Sequence, residues 1–334
     1  MEREIIRNRV KGALVGCAYG DALGMPTEMM CRNYIEELFP EGVHEFSAST
    51  KYDFIGRAMK AGEITDDTIN TLLIVDMLIQ EKGVVHTMSY LTHLQNWIKD
   101  NPEKNKYVAG PSTLRALDAI AKGTAIEKAG IFGTTNGSSM KISPIGIVSD
   151  YHEMSSLVDN VEKICLPTHN TSIAIAGASA VAACISYAIH EEKPIIDQLW
   201  QIAVEAATLG EQRGFAFPSA SLVRRMQAVR EMVDSCSKEA AIHELQSFYG
   251  TGAETIETVP AVLAIVILSK GNPLEAAQIS AAIGGDTDTI GAISCSICGC
   301  FQPDFPQEAI ATLEEVNDIS FEKLVDALLP YAVL

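Results

Sequence analysis

Two short segments carry more negative charge than a helix end can use. GEITDDTIN brings together Thr65, Asp66, Asp67 and Thr68, and GGDTDTIG brings together Asp286, Thr287, Asp288 and Thr289. Each stands at the start of an apolar run that reads as a helix, where Asp and Thr serve as caps and answer the helix dipole. Capping accounts for one carboxylate per helix. Two carboxylates side by side, or separated by one residue, repel unless a cation or a proton intervenes, so the surplus asks for a metal. If the fold joins the two helix starts, four carboxylates and two threonine hydroxyls form an all-oxygen site that suits Mg²⁺ or Mn²⁺ rather than Zn²⁺. A single Mg²⁺ retains waters and rarely takes four carboxylates, whereas two ions sharing a bridging aspartate would, so two are expected.

A third segment, GCAYGDALGMPTEMM, sets Asp21 and Glu28 among glycines and a proline. It reads as a helix ending in a tight loop that can aim Glu28 inward, although a loop glutamate taken alone is ordinarily solvated surface. CSICGC, with Cys295, Cys298 and Cys300, has the C-x-x-C spacing of zinc and redox sites but no second pair to complete one. It continues the small-residue helix that follows GGDTDTIG, and a packed core is the expectation.

The elements that must position these groups are helical. PIIDQLWQIAVEAATLG places Ile196, Leu199, Trp200, Ala203 and Ala207 on one stripe and stops at Gly210; FEKLVDALL repeats the spacing from Phe321. In GNPLEAAQISAAIGG, Asn272 is the N-cap, Pro273 the first helical residue and the glycine pair the stop. Stretches at about 69–79, 172–189 and 259–268 are apolar nearly all round, so other helices must wrap them. Strand signals are thin, and the polar loops at 47–62, 101–110 and 130–144 are poor in strand formers. No repeat or linker divides the chain, and a single all-α domain over residues 1–334 is expected.

Composition narrows the partners. With 25 Lys and Arg against 43 Asp and Glu, the net charge is −18, which excludes the basic face that a phosphate backbone needs. No nucleic-acid partner is expected, and the acidic surface serves solubility. A hydrophobic fraction of 47% excludes a disordered chain. Eight scattered cysteines do not make a disulfide framework, and the apolar stretch near the start is cut by Gly20 and Asp21, so a reduced, cytoplasmic protein is expected, with no membrane span and taken as a monomer. The uncharged window from Ser172 to Ile189 is mostly small residues and suits a buried helix better than lipid.

Taken in order, GDALGxxxE, TDDT, NGSxM with a following SP, a TH opening an Ala-rich helix, and GGDTDTIG resemble the ADP-ribosylglycohydrolase family, over about residues 9–300. That family includes the enzyme that reactivates dinitrogenase reductase and the eukaryotic ADP-ribosyl-acceptor hydrolases. The resemblance implies a compact multi-helix orthogonal bundle with a dinuclear Mg²⁺ or Mn²⁺ centre at the base of a cleft. It also implies hydrolysis of an N- or O-glycosidic bond at ribose C1 in an ADP-ribosylated protein or a small ADP-ribosyl or ribosyl compound. On it, Thr65, Asp66 and Asp67 match the first metal-ligand group, and Asp286, Asp288 and Thr289 the second, with Asp288 as bridge. Glu28 matches a loop glutamate that touches a metal or the attacking water. Thr135, Asn136, Gly137, Ser138, Ser139 and Met140 match a loop lying against diphosphate and ribose, and His169 matches a histidine that hydrogen-bonds ribose. Without the resemblance, His169 before a helix reads as a structural histidine.

Two departures bear on the substrate. Lys141 stands where many members carry arginine, and Thr134 where some place a ring for a nucleobase; Phe132, Phe215 or Phe217 would have to supply one from elsewhere. A substrate smaller than ADP-ribose, such as an N-riboside or a nucleoside-like compound, is the alternative. A non-catalytic binding or structural member is the other, although all six metal positions and Glu28 are kept. A D-x-D-x-T phosphatase reading of DTDT fails because Ile290 occupies the threonine position and a helical stretch replaces the required strand.

Overall fold

A computed structural model describes residues 3–103 and 109–333. Its organising contact is between α1 (Arg3–Gly24) and a late helix, Thr287–Phe301. Gly12, Gly16, Gly20 and Gly24 recur every fourth residue along one face of α1. A Cβ on them would lie 2.0, 2.2, 2.0 and 2.3 Å from the carbonyl oxygens of Gly299, Cys295, Gly291 and Thr287 respectively. Gly291 and Gly299 return the contact onto Gly20 and Gly12. The two helices therefore run antiparallel with their backbones touching, which any side chain at these positions would prevent. This register lays the C-terminal end of α1, carrying Asp21, on the N-terminal end of its partner, carrying Asp288.

The late helix of that pair is α8 (Thr287–Phe301), and around the two are laid α2 (Asp66–Gln80), α3 (Met154–Cys165), α4 (Ser172–His190), α5 (Ile196–Gly210), α6 (Thr255–Leu268), α7 (Pro273–Ile283), α9 (Gln307–Asn317) and α10 (Phe321–Leu328). The expected helices are all present, and α5 stops at Gly210 as its sequence requires. Every residue of α4 from Ile173 to Ile189 is buried, so the window that by length and hydropathy alone would cross a membrane is enclosed by other helices. Asn272 caps α7 by accepting from the N–H groups of Leu274 and Glu275 at 3.0 Å. Helix α6 begins four residues before the apolar run at 259 suggests, because Thr255 and Thr258 use their hydroxyls on neighbouring loops instead of packing.

Among the described residues no β-sheet forms. Three isolated β-bridges, Met30 with Gly285, Thr135 with Glu254 and Thr171 with Phe215, join loops at one end of the bundle. Cys295, Cys298 and Cys300 are buried in α8, and burial raises the pKa of all three thiols, that of Cys298 to about 12. They form packed core, as the lack of a second cysteine pair implies.

Candidate functional site

The acidic site assembles where α1, α2 and α8 meet. Asp21, fully buried near the end of α1, acts as a cap for another helix: its carboxylate accepts from the N–H groups of Thr65 (3.0 and 3.1 Å) and Thr68 (3.1 Å), and from the Thr68 hydroxyl (2.5 Å). The TDDT segment therefore needs no cap of its own, and Asp66 and Asp67 are left for other work. Thr65 donates its hydroxyl to Asp67 Oδ2 at 3.1 Å, while the buried Asp67 Oδ1 has no partner.

The second acidic segment is held by its glycines. Gly284 and Gly285 have φ values of +86° and +84°, and a Cβ on Gly285 would meet the carbonyl oxygen of Thr251 at 2.3 Å. The pair stops α7 and turns the backbone so that the Met29 N–H donates to Gly285 and the Gly285 N–H donates to Met30, at 2.7 and 2.9 Å. That exchange docks the loop carrying Glu28 against the loop carrying Asp286 and Asp288. Met29 itself is left-handed at φ +60°, a local strain beside Glu28. Oxygen atoms of Glu28, Asp286 and Asp288 lie within 4.8 Å of one another.

Asn136 ties a further loop to this centre. Its side-chain amide donates to Asp286 Oδ2 at 2.5 Å and to the Thr258 hydroxyl at 2.8 Å. The backbone of residues 134–136 is stitched to residues 253–255, while Asp286 N–H donates to Thr251 at 2.8 Å, so one short segment before α6 holds both loops. Ser138 is buried and donates to the Ala174 carbonyl in α4; Ser139 and Met140 are buried beside it. Thr135 and Gly137 are half-buried and remain open. His169 is buried, with Nε2 3.0 Å from the Thr135 hydroxyl and Nδ1 2.8 Å from that of Thr168, and burial pushes its pKa well below the usual imidazole value. Both ring nitrogens thus have partners within the protein. Lys141 is buried, its ammonium 5.3 Å from the centre of the Tyr90 ring.

Burial and mutual repulsion shape the electrostatics. Burial raises the pKa of Glu28, Asp67 and Asp286 well above the carboxylate range, and the charge of Asp288 raises each further. Asp21 and Asp66 are pushed up to about 7, with burial the largest cause; Asp288 adds to both, and Arg57 opposes the shift of Asp66. Asp66 and Asp67 therefore feel the charge of Asp288, more than two hundred positions away in sequence, which is the convergence the surplus charge requires. Six carboxylates, Asp21, Glu28, Asp66, Asp67, Asp286 and Asp288, share the site with one nearby cation among the described residues, Arg57. Its guanidinium pairs with Glu28 and lies 3.4 Å from Asp288 Oδ2.

This centre can hold a divalent metal. The donor set is all oxygen, Asp67 Oδ1 is orphaned in the interior, and three carboxylates converge with too little cationic charge to balance them. Asp66 and Asp67 open α2, and Asp286, Asp288 and Thr289 stand at the start of α8; of these carboxylates the converging cluster takes in Asp286 and Asp288, with Glu28, and leaves out Asp66 and Asp67. Sequence reasoning did not find Arg57, which is separated from Glu28 by 29 positions and from Asp288 by 231. Nor did it find the capping role of Asp21, although the glycine spacing in α1 carried a signal for it.

The family model for ADP-ribosylglycohydrolase matches residues 2–333. The uncharacterised Escherichia coli protein YegU is 34% identical over 97% of both chains. The ADP-ribosyl-[dinitrogen reductase] glycohydrolase of Rhodospirillum rubrum is 23% identical over 98% of both, and the mouse ADP-ribosylhydrolase ARH3 is 23% identical over 93% of this chain and 89% of its own. A solved structure described as an ADP-ribosylglycohydrolase-related protein complex superposes with a TM-score of 0.71 at 20% identity, covering 98% of both chains, and shows the same fold.

Proposed function

We propose a function from one premise: this chain belongs to the ADP-ribosylglycohydrolase family. At that level it is an ADP-ribosyl hydrolase. The finer reading is a Mg²⁺- or Mn²⁺-dependent glycosidase that hydrolyses the N- or O-glycosidic bond at ribose C1. The observation that carries it is the meeting of Glu28, Asp286 and Asp288 oxygens within 4.8 Å, next to a TDDT segment that senses their charge.

In this reading Thr65, Asp66, Asp67, Asp286, Asp288 and Thr289 hold two divalent ions. When bound, the ions supply electrostatic anchoring for the ribose hydroxyls and make a nearby water more acidic. The chain's own residues do the rest. As the leaving group departs, C1 takes on oxocarbenium character, so a nucleophilic water must be held at one face of the ribose. Glu28, on its strained loop, orients that water and accepts its proton. Asp21 fixes the first turn of α2, and Asn136 fixes Asp286. Thr135 and Gly137 present open groups to ribose and diphosphate, with His169 holding Thr135 from below. Eight cysteines without a disulfide support a reducing, cytoplasmic setting.

A smaller riboside is favoured by Thr134, which offers no ring for a base, and by Lys141, whose charge is buried against Tyr90. One experiment separates the readings. The purified protein is given ADP-ribosyl-arginine, an ADP-ribosyl-serine peptide, O-acetyl-ADP-ribose and simple N-ribosides, each with Mg²⁺, with Mn²⁺ and with chelator. Metal-dependent release of the free sugar is expected. Turnover that persists in chelator, or no hydrolysis of any substrate, rejects the glycosidase reading.

A further inference from the structure

The residues at 49–59 form a closed loop. Ser49 and Met59 pair at the base, where the Ser49 N–H donates to the Met59 carbonyl and the Met59 N–H to the Ser49 hydroxyl, both at 2.9 Å. Inside the loop the Asp53 carboxylate accepts from the N–H groups of Gly56 (2.8 Å) and Ala58 (3.0 Å). Phe54 at its tip is 61% exposed. Arg57 is sent inward: its side chain is 7% exposed and enters the acidic centre between Glu28 and Asp288.

The ion pairs made there are incomplete. The Asp288 contact is long at 3.4 Å, and the buried Nε has no acceptor. A guanidinium permanently built into a carboxylate site normally satisfies its fork of donors, and an unmade buried hydrogen bond is costly. The guanidinium keeps its charge, as arginine does throughout the accessible pH range. One positive charge faces six carboxylates, and it takes up two of the three that converge as a candidate metal site. A divalent ion carries twice that charge and can bind three oxygens at once.

We propose that Arg57 is a built-in, displaceable counter-ion: a divalent cation binding to Glu28, Asp286 and Asp288 does so in exchange for the Arg57 guanidinium, and loop 49–59 detaches from Glu28 as it binds. The inference rests on the metal reading above and adds that metal binding and opening of the loop beside Glu28 are one equilibrium, tied by linkage. The loop is fastened to itself at its base and through Asp53, and outside itself Lys51 and Tyr52 hold Glu37, so the Arg57 side can swing away from Glu28 about that anchor.

The test uses the full-length protein and Mn²⁺, with binding measured by titration calorimetry and loop protection by hydrogen exchange. In the natural protein, exchange in peptides spanning 49–59 is expected to rise as Mn²⁺ saturates. Arg57→Met, which keeps most of the aliphatic stem, is expected to bind Mn²⁺ at least about tenfold tighter, with exchange in the loop no longer responding to the ion. Lys51→Met removes a charge from the same loop at the Glu37 pair, away from the centre, and is expected to leave affinity nearly unchanged. Mn²⁺ that binds the natural protein while loop exchange holds or falls overturns the proposal. So does an Arg57→Met protein that binds no more tightly, or a Lys51→Met protein that gains as much. If neither the natural protein nor Arg57→Met binds Mn²⁺, the metal reading itself falls and this inference with it.

Discussion

The two ends of the α1/α8 pair differ in kind. Along the seam, from Gly12 with Gly299 to Gly20 with Gly291, backbones touch, no side chain intervenes and every residue of α8 except its last is buried. At the end of the same two helices, one turn on, a guanidinium is wedged between two largely buried carboxylates and a further buried carboxylate oxygen has no partner. Satisfied packing holds unsatisfied charge in place. A site that is locally unfavourable persists when the surrounding structure over-determines it, and such sites are where binding and chemistry are found.

The largest expected effect comes from breaking the seam. A Cβ at Gly20 would sit 2.0 Å from the Gly291 oxygen, and that oxygen is backbone that cannot step aside. Gly20→Val should destabilise the protein by more than the roughly 1–3 kcal/mol usual for overpacking, measured by denaturant unfolding. It should also abolish divalent binding, because the two acidic segments lose their shared support. A Gly20→Val protein of unchanged stability would show that the seam does not hold the site.

At the acidic end the sign of the stability effect reverses. Burial is the main reason the pKa values of Glu28, Asp67 and Asp286 are raised, and Asp288→Asn removes the charge that raises them further. In chelator the variant should melt higher than the natural protein, while divalent binding and glycoside hydrolysis fall by more than about a hundredfold. Full activity with lowered melting would contradict both halves. Asp21→Asn belongs to the same end but should act differently. It weakens the cap on α2, at a cost of about 1–2 kcal/mol, and lowers metal affinity indirectly, since Asp21 holds Thr65 and Thr68.

Dependence on pH gives a smaller, graded comparison. Asp21 and Asp66 have folded pKa values pushed up to about 7 from 3.8, with burial the main cause, so between these values the folded chain holds protons that the unfolded chain has lost. Folding stability in chelator must therefore fall as pH rises through that window, with the penalty complete above about 7. Melting temperatures at pH 5.5 and 8 read it. Mg²⁺ should flatten or reverse the slope, because it binds the ionised carboxylates, and Asp66→Asn should lessen it. A slope in chelator that rises with pH would mean these groups are not buried as acids.

Much of this was legible in the chain, and the illegible part has a physical reason. The helices of the fold follow from apolar periodicity and from local stops such as Asn272 and Gly210, since those signals lie within a few residues of what they control. The acidic segments announced themselves because the surplus charge in TDDT and DTDT is local as well. Arg57 did not, because its meeting with Glu28 and Asp288 is made by the fold, and nothing in residues 47–62 distinguishes it from Lys51 or Lys60. Asp21 stood between the two cases. The glycine recurrence of GALVGCAYGDALG foretells a close helix partner, but that the partner's far end lies beside TDDT is a fact of three dimensions. Asn136 was expected to face substrate through its family motif, and its bond to Asp286 shows that the same loop also braces the acidic centre.

The smallest expected effect asks whether disturbance at the acidic end travels down the seam. Cys295 packs its backbone against Gly16, and its thiol, like those of Cys298 and Cys300, is buried and shifted far from reactivity by that burial. Of the eight cysteines only Cys31 and Cys236 are exposed. A thiol reagent should therefore titrate two groups quickly in the folded protein, with the remaining six released only on unfolding. If packing is independent of the charged end, the fast count stays at two in Mg²⁺ and in chelator, and the slow phase changes by no more than the shift in global stability. A third fast thiol in chelator, mapped to Cys295, would mean that repulsion among the carboxylates loosens the helix pair, and that the seam and the acidic centre form one cooperative unit.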